Sequence, residues 1–358
     1  MPDRSLRDYG WNDFFSEGFS KLQNNQLEPA RVTRSAANIF NVRGREYVGH
    51  ATLAGKLRHD AGSDAELPTV GDWVGIRLAP TGDPRIEALV PRSSALSRKV
   101  AGRKTDEQVV AANVDLVIVV MGLDADYNLR RLERYLTAVG ESGARPIVLL
   151  NKTDLCDDTE AHVKEVESIA PGVPVLAASC TEGDGIEEVR GKIGAAETAV
   201  LVGSSGAGKS TLINGLLGER IQPTRDVRSD DSRGRHTTTH RELFRLPGGG
   251  LLIDSPGIRE LQLWGGEKSL AQAFDDIEAL ARGCRFRDCG HQSEADCAVL
   301  GAVESGELAA QRLGSYRALQ NELRYLETKQ SESAQRAERQ KLREVHREYR
   351  RFTKKRRK

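Results

Sequence analysis

The sequence predicts an α/β fold: a mostly parallel sheet wrapped by helices, preceded by an OB-like β-barrel and followed by a helical domain built around a metal cluster. Three observations carry this. From Val114 onward, short apolar runs alternate with amphipathic stretches, the pattern of parallel strands buried on both faces. The stretch Gly203-Ser204-Ser205-Gly206-Ala207-Gly208-Lys209-Ser210-Thr211 matches G-x-x-x-x-G-K-[ST], between a strand-like run and a helix-like run. Residues 29–95 hold five short strand candidates punctuated by glycines.

In chain order, residues 1–28 are dense in aromatics: Tyr9, Trp11, Phe14, Phe15 and Phe19. Trp11, Phe15 and Phe19 fall on one helical face, which fits a helix docked on the next domain or an arm that binds a partner. The five strand candidates are Ala30–Ser35, Ile39–Val42, Tyr47–Leu53, Asp72–Leu78 and Arg85–Val90. They suit a small barrel, and strand count alone does not separate an OB-fold from an SH3-like one. Arg31, Arg34, Arg43, Arg45, Lys56 and Arg58 would give that barrel a basic side suited to RNA, or simply a solubilising exterior. Residues 96–110 read as a polar, basic linker.

Beyond it, Leu116–Met121 and Pro146–Leu150 are buried strands flanking a helix with Leu129, Leu132, Leu136 and Val139 on one face. Val173–Ala177 and Ala199–Val202 come next, and Glu242–Leu246 turns through Pro247–Gly250 into Leu251–Asp254 as a hairpin. From Glu267 the chain is helical again. The division expected is an N-terminal extension 1–28, a barrel 29–95, a nucleotide domain 96–266 and a metal-binding helical domain 267–358.

Charge is balanced overall, with 53 Lys and Arg against 52 Asp and Glu, but not locally. Residues 331–358 hold twelve basic and four acidic residues, a basic tail suited to nucleic acid or an acidic surface, or to a solvated helix face. The N-terminus lacks a basic head followed by an apolar run, and the longest apolar run, near Val114–Leu123, is too short to span a bilayer. Five cysteines without a secretory signal point to a reducing, cytoplasmic setting with no membrane role.

The glycine-rich stretch is a phosphate-binding loop. Its glycines let backbone N–H groups turn inward, and the helix behind it adds partial positive charge. Lys209 would reach the β- and γ-phosphates, and the Ser210 hydroxyl would hold Mg²⁺. Asn151-Lys152-Thr153-Asp154 comes directly after a buried strand. The Asp154 carboxylate can accept from guanine N1 and N2, a donor pair adenine lacks. Asn151 would contact the base and local backbone, the Lys152 stem would lie along the ring, and Ser179-Cys180 fits a loop backing the same base. Asp254-Ser255-Pro256-Gly257 supplies an acid that can hold Mg²⁺ through water and a Gly257 N–H that can sense the γ-phosphate. Upstream, His236-Thr237-Thr238-Thr239 offers hydroxyls, with Thr238 placed to close over Mg²⁺ and the γ-phosphate.

Cys284, Cys289, His291 and Cys297 form C-x₄-C-x-H-x₅-C. Three thiolates and one imidazole complete a tetrahedral Zn²⁺ shell and leave no position for water, which makes the site structural. Arg282, Arg285 and Arg287 surround it.

The order of these motifs is informative. The guanine motif at 151 precedes the phosphate loop at 203, the reverse of an ordinary GTPase, so the parts are complete but circularly permuted. This order, with D-S-P-G, the Gly234–His240 stretch and the Cys₃His cluster, resembles ribosome-small-subunit-dependent GTPase A, the RsgA/YjeQ family, from about residue 29 to about residue 320. The resemblance implies a cytoplasmic late assembly factor that hydrolyses GTP to GDP. It would use Mg²⁺ and one structural Zn²⁺, bind the small ribosomal subunit through its rRNA, and act as a monomer. Ile258 stands where Ras-like enzymes carry the glutamine that orients water. His236 is the nearest competent substitute and the residue to which the resemblance points; otherwise it packs the loop. The alternative function is a nucleotide-regulated RNA-binding protein with little turnover, which intact Lys209, Ser210 and Asp254 argue against.

Overall fold

The five strand candidates close into a barrel. In this computed structural model, residues 6–36, 39–79, 81–99, 107–218, 241–254, 270–271 and 273–330 are described. They fall into two units, one within residues 6–254 and one within 270–330. Strands β1 (Glu28–Ala36), β2 (Ile39–Gly44), β3 (Val48–Leu53), β4 (Trp73–Arg77) and β5 (Arg85–Leu89) pair in the order β1-β2-β3-β5-β4. β4 returns to β1, and only the β3–β5 pairing is parallel. That closure and order are OB-like and settle what strand count left open. Val32, Phe40, Val42, Val74, Ile76 and Ile86 fill the interior.

Helix α1 (Asp13–Ser20) is N-capped by Asn12, whose side chain accepts from the Phe15 N–H at 3.3 Å. Its aromatic stripe lies on the barrel: Trp11 stands edge-on to the fully buried Trp73 at 4.7 Å, and Phe15 sits 6.0 Å from the same ring. This is the docked arrangement. Helix α2 (Gly55–Asp60) lies between β3 and β4.

The two ends of the segment expected as a linker are strands. β6 (Ala95–Lys99) and β7 (Glu107–Ala112) pair antiparallel as a two-stranded ribbon. Its polar residues hid it. Leu96, Val109 and Val110 are buried, but Arg98 and Gln108 sit opposite one another and bond at 3.0 Å across the ribbon.

The nucleotide half is a parallel sheet of β8 (Leu116–Gly122), β9 (Arg145–Asn151), β10 (Val175–Ala178), β11 (Thr198–Val202) and β13 (Leu251–Asp254). They stand in the order β10-β9-β8-β11-β13, with β12 (Arg241–Arg245) antiparallel to β13. Helices α3 (Leu129–Ser142), α4 (Thr159–Ile169), α5 (Ile186–Gly191) and α6 (Lys209–Leu217) connect or follow these strands. Of the α3 face expected from spacing, Leu132 and Val139 are buried, joined by Tyr135. β12 also pairs with β1, through Arg34↔Glu242 and Ser35↔Arg241, so barrel and parallel strands form one continuous eleven-stranded sheet.

Arg31 corrects the basic-side expectation. It is 1% exposed. Its Nε donates to Gly71 O at 3.1 Å, and Nη2 donates to Asn113 O at 3.1 Å and Thr198 Oγ1 at 2.9 Å. Nη1 donates to Tyr9 O. Burial pushes the guanidinium down to about 10, with Asp115 and Asp72 opposing that shift, so it stays charged at neutral pH. Arg31 is an internal tie, not an RNA-facing residue. Arg34 lies 4.0 Å from Glu242 and Arg43 lies 4.9 Å from the Tyr9 ring, while Arg45, Lys56 and Arg58 are exposed.

The second unit consists of α7 (Asp275–Ala281), the Cys/His loop, α8 (Ala298–Ser305) and α9 (Ala310–Gln330). Arg312 forks onto Asp276 at 2.5 and 2.7 Å and lies 4.7 Å from the Phe274 ring. Tyr316 donates to Glu278 at 2.9 Å. The basic tail, 331–358, lies outside the described residues. Among the described residues, no helix is long and apolar enough to cross a membrane.

Arg31→Met should remove a buried cation and take the arginine donor from Tyr9 O, Asn113 O and Thr198 Oγ1, while Gly71 O keeps its bond from Asn113 Nδ2. The expected loss of folding free energy is at least about 3 kcal/mol, read from the urea midpoint, because uncompensated buried polar groups carry the full desolvation cost.

Candidate nucleotide site and metal centre

In a parallel sheet, the loops after the carboxyl ends of the strands gather at one edge. Here that edge collects the phosphate loop after β11, the guanine motif after β9, Ser179-Cys180 after β10 and Asp254 at the end of β13.

The phosphate loop requires its glycines. Gly203 has φ +143°, and a Cβ there would lie 2.2 Å from Val120 O; Gly208 has φ +97°, and a Cβ there would lie 2.0 Å from Asn151 Nδ2. No side chain caps the start of α6. Ser205 and Gly206 are exposed at the loop's tip, and Ala207 is fully buried beneath it. The Lys209 ammonium donates back to Gly203 O at 2.8 Å and to Ser204 O. A phosphate would offer it a charged and therefore stronger acceptor. Ser210 and Thr211 open α6 and are half-buried.

Asn151 joins the motifs. It is 2% exposed, its Nδ2 donates to Ala207 O at 2.8 Å, and its Oδ1 accepts from the Cys180 N–H at 3.0 Å. The sequence assigns it contacts to the base and the local backbone; the structure shows it bonding two distant backbones, those of the phosphate loop and the Ser179-Cys180 loop. Lys152 takes the left-handed conformation at φ +68°, and Thr153 begins a 3-10 turn that presents Asp154. The Ser179 hydroxyl donates to Asp154 Oδ1 at 2.5 Å, so the carboxylate is oriented by the loop expected to back the base. Burial, with Asp154 nearby, pushes the Cys180 thiol up to about 12, which keeps it neutral.

Asp254 ends β13 and is half-buried. His236, Thr238 and Gly257, the other residues expected at the reacting end, lie outside the described residues. Sequence reasoning missed two carboxylates. Asp124 bonds Lys152 at 2.6 Å, and Asp126 accepts from the Ser204 hydroxyl at 2.5 Å. The signal available was their position directly after the fully buried β8.

The second unit brings Cys284, Cys289, His291 and Cys297 together, their ligand atoms all within 4.8 Å of one another. His291 Nδ1 lies 3.6 Å from Cys284 Sγ and 3.4 Å from Cys297 Sγ, and those two sulfurs are 3.7 Å apart. Ligands about 2.0–2.3 Å from a tetrahedral Zn²⁺ stand about 3.3–3.8 Å from one another, the spacing that Cys284, His291 and Cys297 show, with Cys289 in the same cluster. Glu294, which the sequence did not single out, holds the loop: its carboxylate accepts from the N–H groups of Gly290 at 2.8 Å, Gln292 at 2.6 Å and Ser293 at 3.0 Å. Arg282, Arg285 and Arg287 are exposed around it.

A parallel sheet carrying a phosphate loop and a downstream Asp254, with the guanine motif ahead of them in the chain, defines a circularly permuted P-loop GTPase. The family model described as RsgA GTPase matches residues 89–264. The small ribosomal subunit biogenesis GTPase RsgA of Syntrophotalea carbinolica is 48% identical over 320 residues, spanning 87% of this chain and 88% of the relative. The protein of the same name from Opitutus terrae is 44% identical over 357 residues, 96% of each chain. The crystal structure of YjeQ from Thermotoga maritima aligns with a TM-score of 0.63 at 28% identity, covering 83% of this chain and 98% of that one. The chain belongs to the RsgA GTPase family.

The cluster geometry predicts about one zinc per chain by elemental analysis of protein purified without chelator. Cys297→Ser should abolish it, with loss of helical signal from the second unit; Glu294→Ala should retain zinc but release it faster to a colorimetric chelator.

Proposed function

We propose that this chain hydrolyses GTP to GDP and phosphate in the biogenesis of the small ribosomal subunit. The observation that carries the nucleotide assignment is the convergence of phosphate loop, guanine motif and Ser179-Cys180 loop on the buried Asn151 side chain. The subunit assignment rests on family membership and on the names of the relatives from Syntrophotalea carbinolica and Opitutus terrae.

In this reading the chain's residues divide the work. Asp154, oriented by Ser179, accepts from the guanine edge, and the Lys152 stem lies along the ring. The N–H groups of Gly203 to Thr211 surround the phosphates, Lys209 neutralises their charge, and Ser210, Asp254 and Thr238 hold Mg²⁺. The Gly257 N–H contacts the γ-phosphate. Magnesium supplies neutralisation of the charge that develops during transfer. His236 orients the attacking water, because Ile258 offers no hydrogen bond. Cys284, Cys289, His291 and Cys297 hold a structural zinc. The exposed Arg45, Lys56 and Arg58 of the barrel and the arginines around the cluster meet rRNA phosphates. The chain works as a cytoplasmic monomer, binding immature subunits with GTP and leaving after hydrolysis.

Two mutants separate base recognition from turnover. Asp154→Asn should weaken GTP binding by about 1.5–3 kcal/mol for each charge-assisted bond lost and raise tolerance for xanthine nucleotide. His236→Ala should leave GTP affinity nearly intact and remove mainly the rate gained on adding purified small subunits, the pattern of an interaction made only in the transition state. Nucleotide titrations read the first, and single-turnover hydrolysis with and without subunits reads the second. A wild-type rate indifferent to subunits would overturn the ribosomal assignment, and a His236→Ala rate equal to wild type on subunits would reduce that histidine to packing.

A further inference from the structure

Strand β8 stands between β9, which leads into the guanine motif, and β11, which leads into the phosphate loop. The connection Gly122–Asn128 at its carboxyl end therefore lies between the two halves of the nucleotide site, and its side chains reach both. Asp124 Oδ2 is 2.6 Å from the Lys152 ammonium, and Asp124 Oδ1 accepts the Asp126 N–H at 3.0 Å. Asp126 Oδ2 accepts the Ser204 hydroxyl at 2.5 Å and the Gly122 N–H at 3.3 Å, while its Oδ1 faces the Arg131 guanidinium at 2.8 Å. Arg131 also donates to the Asp126 carbonyl. The loop is anchored at its far end as well: the Tyr127 hydroxyl donates to Glu165 of α4 at 2.6 Å, and Asn128 caps α3 through the Arg131 N–H at 3.0 Å.

We propose that Gly122–Asn128 is a nucleotide-positioning element in which Asp124 sets the guanine side through Lys152 and Asp126 sets the phosphate side through Ser204. The inference rests on the GTPase reading above and adds two positioning residues to it. Lys152 sits on a left-handed backbone, and its ammonium is held by Asp124. Holding that ammonium stretches the aliphatic stem in a fixed direction, the direction in which it would lie along the base. Despite partial burial, which opposes it, the Lys152 pairing and the Asp126 N–H hold the Asp124 carboxyl below the usual carboxylate range, so it is a carboxylate at neutral pH. On the other side, Ser204 is the residue whose carbonyl also receives Lys209. Fixing the Ser204 side chain fixes that carbonyl and the first turn of the phosphate loop, and with them the resting place of the lysine that must reach the phosphates. Asp126 could not do this alone. Its pairing with Arg131 keeps a carboxylate from repelling phosphate in the same pocket.

The two halves predict different kinetic signatures. Base contacts are the same in ground and transition states, so Asp124→Ala should raise KM for GTP and Kd for GDP together, roughly fivefold, with kcat unchanged. The phosphate loop acts where charge develops, so Asp126→Ala should lower the subunit-independent kcat roughly tenfold or more, with a smaller change in Kd for GDP. Asp126→Asn, which keeps an acceptor for Ser204, should recover most of that rate. Ser204→Ala should reproduce the Asp126→Ala loss and add little to it in the double mutant. Melting temperatures and GDP titrations accompany each measurement. Should Asp124→Ala not fold, Asp124→Asn carries the guanine-side comparison, and should Asp126→Ala not fold, Ser204→Ala carries the phosphate-side one. Folded alanine variants that match wild type, or in which KM rises and kcat falls together, overturn the inference. A wild-type protein that neither binds GDP nor turns over GTP instead overturns the GTPase reading on which it rests.

Discussion

The structure turns on one buried guanidinium. Arg31 starts on the barrel's first strand and bonds Tyr9 ahead of the barrel, Gly71 within it, and Asn113 and Thr198 in the nucleotide half. A cation at 1% exposure is tolerated only when its donors find partners, so these four acceptors must converge for the chain to fold. The result is a fixed relation between barrel and parallel sheet, reinforced by the pairing of β1 with β12. Arg241, at the start of β12, adds a second tie by donating to Thr69 Oγ1 and Val109 O, both at 3.1 Å. Burial pushes it down to about 10, again short of neutralising it.

Permutation changes the order in which the chain visits the sheet but not which loops meet. Sheet order, not chain order, decides neighbours at the carboxyl edge. The guanine motif, the phosphate loop and Asp254 come together because β9, β8, β11 and β13 are consecutive in space. With β8 in the middle, its own outgoing loop is forced between the two binding motifs, where Asp124 and Asp126 lie. β13 is the last strand among the described residues, and the chain beyond Asp254 runs on to the metal-binding unit. The residues expected to sense the γ-phosphate and that unit are therefore neighbours in sequence.

The second unit is held by a different kind of constraint. A helical unit of this size has little apolar interior, and small domains of that kind are commonly stapled by metal or disulfide. Three free thiols and a histidine gathered within 4.8 Å, a carboxylate organising the loop's backbone, and Arg312 forked on Asp276 supply constraints that a larger core would otherwise give.

The motifs were legible in the sequence because each depends on neighbours along the chain. The glycines of 203–208 answer to local backbone geometry, Asn151 to Asp154 to one strand end, and the Cys₃His spacing to a single loop. The five barrel strands and the parallel strands showed through periodicity and glycine punctuation. Motif order alone revealed the permutation. Other features depended on residues far apart in the chain. Arg31 read as surface charge because its partner Thr198 is 167 positions away. The β6–β7 ribbon read as linker because its outer cross-strand pairs, Arg98 with Gln108 and Lys99 with Glu107, are polar. Asn151's grip on the phosphate loop spans 56 residues, and the carboxylates of Gly122–Asn128 gain meaning only beside Lys152 and Ser204. Local backbone chemistry and apolar period are written in consecutive residues; burial and pairing of a charge are decided by what the fold brings against it.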